Sequence, residues 1–255
     1  EQAERLAASA RELNPRDFLA HFEVAGELYG ERGWIDWAEA EYRQLTEFPD
    51  PAGDEMVYLL YSQKYLAYIY HDRGDALAAI KVLEASLPVM DGLPGNRRTF
   101  GARERRSTEA RIHYLYGVHH AATGDLIKAR ERLKLSLEHD QSDIDAMNAL
   151  IDPLIELYHL PDLPEEDLKQ VRQTILEVVS TCRQRIEQDP KSSLFYNQMA
   201  WLIANTEGDL EEALASSLRS LELEPNHPGK MDTLARCYYA LGQLDKALET
   251  QIAAV

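Results

Sequence analysis

Three histidines, His113, His119 and His120, crowd one short stretch of this 255-residue chain. On a helix, neighbours in sequence point about 100° apart, so His119 and His120 do not easily share one metal ion. His113 and His120 share a face but lie two turns apart. They read as ordinary packing or surface histidines, and no metal or cofactor is expected. Cys182 and Cys237 are too few for a disulfide framework or a four-cysteine zinc module. They read as small buried hydrophobes, compatible with a reducing compartment and leaning slightly toward a cytoplasmic location. No phosphate loop, HExxH, GxSxG, dinucleotide fingerprint or calcium loop occurs. The 44 Asp and Glu side chains are spread along the chain, so no carboxylate pair stands out as an acid/base couple. With no nucleophile, base and orienting group to name, catalysis is not expected.

Charge is the next chemical signal. The formal net charge is −17, which disfavours nucleic acid and anionic membrane surfaces and favours basic or neutral partners. No apolar run reaches the roughly 18 residues that a membrane span needs. Residues 143–255 carry net −11 and residues 1–142 net −6. Against that background, residues 97–111 (RRTFGARERRSTEAR) form an island of +4 in a remainder of −21. Arg97, Arg98, Arg103, Arg105 and Arg106 could grip phosphate or carboxylate groups through their planar forks. The blander reading, preferred here, is a solvated helix extension whose arginines pair with nearby acids.

The elements that position these residues come from a recurring string. A Gly with Ala five residues later appears at 33–38 (GWIDWA), 74–79 (GDALAA), 124–129 (GDLIKA), 208–213 (GDLEEA) and 242–247 (GQLDKA). Successive alanines are 41, 50, 84 and 34 residues apart, a 34-residue unit with insertions and one obscured copy. Upstream of each Gly lies a helical pattern with a small residue, at Ala25-Gly26, Ala67, Gly117, Ala200 and Ala235. Downstream lies a second amphipathic stretch. Gly ends the first helix in a left-handed conformation, and the following Asp suits the N-cap of the second. Antiparallel helices come close only where the contact residue is small, which accounts for Ala38, Ala79, Ala129, Ala213 and Ala247. Pro49, Pro190 and Pro225 stop second helices.

This pattern resembles the tetratricopeptide repeat family, over almost the whole chain. The expected fold is an all-α solenoid, a right-handed superhelix of stacked helical hairpins. Residues 1–18 read as the second helix of a truncated leading repeat. Residues 19–142 hold repeats one to three, with insertions at 50–59 and 88–108. Residues 143–191 read as a degenerate hairpin with LPDLPEED in place of Gly-Asp. Pro153 is expected to kink or restart its first helix, and its long second helix is expected from about 165 to 188. Residues 192–255 hold repeats five and six, the last incomplete, and repeat five carries one extra residue in its inner turn. A chain that begins with Glu and stops inside a second helix is expected to be processed, or a piece of something longer, or to dock through that end.

In the family the first helices line a concave wall. By register, the resemblance implies a peptide groove built from Glu23, Lys64, Tyr114, Asn197 and Asp232, from Glu27, Tyr68, Trp201 and Arg236, and from His71 and Tyr239. Asn148, Val118 and Asp152 occupy equivalent positions. The family's carboxylate clamp is not matched, because Glu23, Glu27 and Asp232 stand where neutral or positive groups are needed. The expectation is a non-catalytic scaffold that binds a basic or neutral protein segment in an acidic groove. The alternatives are a structural spacer that self-associates through uncapped ends, and the regulatory arm of a larger enzyme.

Overall fold

The computed structural model describes residues 17–31, 33–48, 51–140 and 143–254. Regular structure among them is helical. Helix α1 (Phe18–Gly26) runs into a π-helical turn (Glu27–Glu31), followed by α2 (Ile35–Thr46), α3 (Glu55–Asp72) and α4 (Ala76–Asp91). A 3₁₀ turn (Gly95–Arg97) leads into α5 (Arg98–Ala122), then α6 (Leu126–His139) and α7 (Ile144–Tyr158). The remaining helices are α8 (Glu165–Gln188), α9 (Ser193–Asn205), α10 (Leu210–Leu223), α11 (Pro228–Ala240) and α12 (Leu244–Ala253).

Local chemistry sets the hairpin turns. Gly33, Gly74, Gly124, Gly208 and Gly242 all have positive φ, where a Cβ would be strained. At Gly74 the first helix closes with Gly74 N–H donating to His71 C=O and Asp75 N–H to Tyr70 C=O, both at 2.8 Å. The turn at Gly242 repeats this pair, from Gly242 to Tyr239 and from Gln243 to Tyr238. Those bonds satisfy carbonyls that the helix end leaves open. Asp75 then caps α4 by accepting from Ala78 N–H, and Asp209 caps α10 by accepting from Glu211 and Glu212 N–H.

The chain forms two compact units, Glu1–Thr123 with Glu131–Asp143, and Gly124–Arg130 with Ile144–Val255. In the first, α1 to α5 pack in series, and α1 also touches α3. Phe18, Ala25, Leu28, Ala38, Tyr42, Leu45, Leu59, Leu66 and Ile69 form its main core. Tyr42 stacks on Tyr65 at 5.4 Å between ring centroids. In the second, the first helices α7, α9 and α11 touch one another in series, α8 packs on α7 and α9, α10 on α9 and α11, and α12 on α11. Its interior holds Leu150, Leu154, Val171, Ile175, Met199 and Ala200. Ala38, Ala79, Ala129, Ala200 and Ala213 are fully buried, and Ala67, Ala235 and Ala247 nearly so.

Two expectations need correction. Gly26 is exposed, and Ala25 is the buried small residue of α1. The π turn supplies the reason. It holds one residue more than an α turn, and Trp34 N–H reaches back six residues to Leu28 C=O rather than five. The contact position therefore moves one residue upstream. Pro153 does not restart α7, which runs unbroken from Ile144 to Tyr158. The leading helix expected over 1–15 and the stop at Pro49 lie outside the described residues.

A serine bond ties the two helices of one hairpin in each unit. Ser136 Oγ donates to Ala110 C=O at 2.8 Å, and Ser220 Oγ to Ser193 C=O at 2.9 Å. The two spans are 26 and 27 residues, and the difference matches the extra residue in the turn of repeat five.

Candidate functional site

In the first unit, most groove candidates are engaged by their neighbours. Tyr114 is buried rather than offered to solvent. His71 meets it edge-on at 5.7 Å, and the Arg111 guanidinium lies over Tyr114 at 4.5 Å and over Tyr68 at 5.8 Å. A cation held over two ring faces is an attractive arrangement in itself. Lys64 Nζ lies 3.7 Å from Glu104. Glu23 is exposed on α1, and Glu27 begins the π turn with its own interactions.

In the second unit, Trp201 on α9 and Asp232, Arg236 and Tyr239 on α11 line a single cavity of about 480 Å³. Its other wall is Leu244, Ala247, Leu248 and Gln251 of α12. Those four were not found by register, because α12 is a second helix and the family pattern looks only to first helices. A signal was present, since Leu244, Leu248 and Ile252 keep an i, i+4, i+8 spacing beside the seam alanine Ala247. They remain 60%, 64% and 69% exposed, which marks this face as open. Tyr239 is likewise exposed, and the Arg236 guanidinium sits 5.2 Å from its ring.

One turn before Trp201, Asn197 has a buried Oδ1 with no hydrogen-bond partner among the described residues, and so does Nε of Arg236. An unpaired buried acceptor or donor costs about 1–3 kcal/mol, which makes both atoms polar sites enclosed by the packing of α9 and α11. Beside them, Gln198 donates to Asn148 Oδ1 at 2.8 Å and links α9 to α7. Asn148 is thereby a structural contact.

The basic island divides cleanly. Arg97 pairs with Asp54, and Arg105 pairs with Asp91 at 2.9 Å and Glu109 at 3.0 Å. Arg98, Arg103 and Arg106 are exposed on the outer side of α5. The histidine stretch behaves differently from its sequence. His113 meets His139 of α6 at 5.4 Å, and His119 meets His120 at 5.8 Å. Burial first, then the charges of Arg132 and His139, hold the His113 imidazole below its usual pKa. Among the described residues, no three His, Cys, Asp or Glu side chains gather as a metal site would require. No helix among them is long and apolar enough to cross a membrane.

No protein-family model matches the sequence, and no curated protein sequence does. Solved structures do. The MamA fragment from Desulfovibrio magneticus RS-1 superposes with a TM-score of 0.51 at 12% identity, covering 76% of this chain and 92% of its own. YrrB, described as a TPR protein with an unusual peptide-binding site, superposes at 0.50 with 15% identity, covering 84% and 90%. The chain has the tetratricopeptide-repeat fold. Identities this low speak to that fold alone. The positive-φ Gly of the hairpin turns, the buried Ala five residues after each, and the capping Asp at Asp75, Asp125 and Asp209 are the residues that carry the tetratricopeptide geometry here.

Proposed function

We propose that the chain is a non-catalytic protein-interaction scaffold whose second unit holds a peptide segment in the cavity of Trp201, Asp232, Arg236 and Tyr239. One observation carries this reading. An open cavity of about 480 Å³ is lined by Trp201, Asp232, Arg236 and Tyr239, and Arg236 Nε is an unpartnered donor there, while Asn197, whose Oδ1 is an unpartnered acceptor, stands one turn before Trp201 on α9. A peptide backbone offers one N–H and one C=O per residue, the complement of that pair. Trp201 and Tyr239 supply the aromatic area that dominates binding hot spots. The surrounding half of the chain is the more acidic one, which favours a basic or neutral segment and raises its association rate. The peptide-binding site in the description of YrrB supports the same class of ligand. The groove residues of the first unit, Glu23, Glu27, Lys64, Tyr68, His71 and Tyr114, contribute less, because most already contact neighbours.

The test is affinity capture from a native extract with the wild-type chain and with a variant carrying Asn197→Ala and Trp201→Ala. Loss of the tryptophan anchor should weaken the captured partner by about 2 kcal/mol, roughly 30-fold. An identical partner list for both proteins would remove the groove reading.

The exposure of Leu244, Leu248 and Ile252 favours a second reading, in which α12 is an assembly surface. Self-association at micromolar concentration, abolished by Leu248→Asp in sedimentation, would favour it over the peptide groove.

A further inference from the structure

The outer face of α5 carries a feature that the peptide groove does not use. At 25 residues, α5 is nearly twice as long as α9 or α11, which have 13 each. Its N-terminal half is firmly seated. Phe100 packs on the cluster of Leu60, Met90 and Leu93. Gly101 lies so close to α4 that an added Cβ would stand 3.1 Å from the Met90 carbonyl oxygen. Arg97 is tied to Asp54, and Arg105 to Asp91 and to the Leu87 C=O. Two arginines thus anchor the extension through acids of the preceding segments.

The other three point outward. The Arg103 side chain is 84% exposed, and its nearest carboxylate, Glu104 at 3.7 Å, is shared with Lys64. Arg98 and Arg106 are exposed and pair with no carboxylate among the described residues. This is notable in a chain with 44 acidic side chains. The first turn of α5 also lacks an acidic residue, and Arg97, at the N-cap, makes no capping bond. Positive charge at a helix N-terminus opposes the macrodipole; Asp54 offsets Arg97 there, and Arg98 in the first turn has no such carboxylate among the described residues.

We infer that this face docks an acidic peptide segment of a partner protein, at a place separate from the cavity of the second unit. Charge complementarity selects the occupant. Arg98 and Arg106 lie two helical turns apart, about 12 Å along the axis, and Arg103 flanks Arg106. Arg106 lies about 80° round the helix from Arg98 and about 60° from Arg103, so a Glu- or Asp-rich segment of about four residues or more that crosses α5 obliquely brings carboxylates to all three. Guanidinium forks take carboxylates bidentately, and the seated extension presents them without prior ordering. Nucleic acid and anionic membranes are disfavoured because their extended charge would also meet the −21 of the remaining chain.

Fluorescence anisotropy with a labelled Glu-rich 12-residue peptide tests this on the full chain. The wild type should bind saturably at low salt and weaken steeply as NaCl rises. A triple variant, Arg98→Gln, Arg103→Gln and Arg106→Gln, should bind about tenfold more weakly while keeping the wild-type circular dichroism spectrum. Asn197→Ala with Trp201→Ala should leave this affinity unchanged, which separates failure here from failure of the peptide groove. Peptide binding should also raise the Tm of the wild type and not that of the triple variant. The inference is overturned by absent binding, by equal affinity in the triple variant, by a phosphoserine peptide that binds where the Glu-rich one does not, or by tighter binding of duplex DNA or phosphatidylserine vesicles.

Discussion

Cys182 and Cys237 show how completely a side chain's chemistry depends on where the fold puts it. Both are fully buried. Burial raises the Cys182 thiol to about 12, with Arg183 pulling weakly the other way. It raises the Cys237 thiol to about 11, offset in part by Ser217 and Arg236. An ordinary thiol near 8.5 is a good fraction thiolate at pH 8. Against that value, thiols at about 11 and 12 hold roughly 200-fold and 2,000-fold less thiolate at pH 8, and access through the packed interior slows reaction further. Ellman's reagent at pH 8 should therefore label neither thiol on the time scale of a free cysteine, and both in denaturant. Fast native labelling would show that the inter-helix seams open readily. At the same scale, Asn197 and Arg236 show the opposite situation, polar atoms enclosed by the fold and left without partners.

At the scale of elements, each hairpin rests on a few residues with distinct energies. Asp209 satisfies two N–H groups at the start of α10, and Asp209→Ala should lower stability by about 1 kcal/mol in urea unfolding. Ala213 sits at zero exposure in the seam with the first helix, where added methylenes have no room. Ala213→Leu should cost more, about 1–3 kcal/mol or beyond, because α9 and α10 must separate to admit it. If Ala213→Leu proved the milder of the two, the close seam would not be what holds the hairpin. The π turn before Gly33 and the extra residue before Gly208 absorb insertions in different ways. One widens a helix turn and the other lengthens the inner loop, and in both the buried alanine stays in the seam.

For the molecule as a whole, the net charge of −17 opposes compaction. Many ion pairs, such as the bidentate Arg183–Glu212 contact at 2.7–2.8 Å, offset this locally. Exposed pairs of this kind contribute little each, and 27 basic groups cannot neutralise 44 acidic ones. Raising NaCl from about 0.01 to 0.15 M shortens the Debye length from about 30 to 8 Å, which screens distant repulsion more than contact pairs. Melting temperature should therefore rise with salt, by roughly 2–4 °C for each 1 kcal/mol gained in a chain of this size. A fall in Tm over that range would mean that attraction between paired charges outweighs the net repulsion.

The helical hairpins were legible because their requirements are local or nearly so. A left-handed turn accepts glycine, a helix start accepts aspartate, and a close seam accepts alanine, whatever surrounds them. The span expected for the long second helix, about 165 to 188, coincides with α8 for the same reason. The π turn left no mark in composition, since it changes the hydrogen-bond spacing and not the residue types. What only the tertiary structure decided is which side chains remain available. Tyr114 and Trp201 are both groove positions by register, yet Tyr114 is buried beside Arg111 and His71 while Trp201 faces the cavity. Arg97 and Arg98 are neighbours in sequence, yet one is held by Asp54, 43 residues away, and the other is not. Exposure and pairing depend on atoms brought in from distant segments, and no spacing within one repeat encodes them.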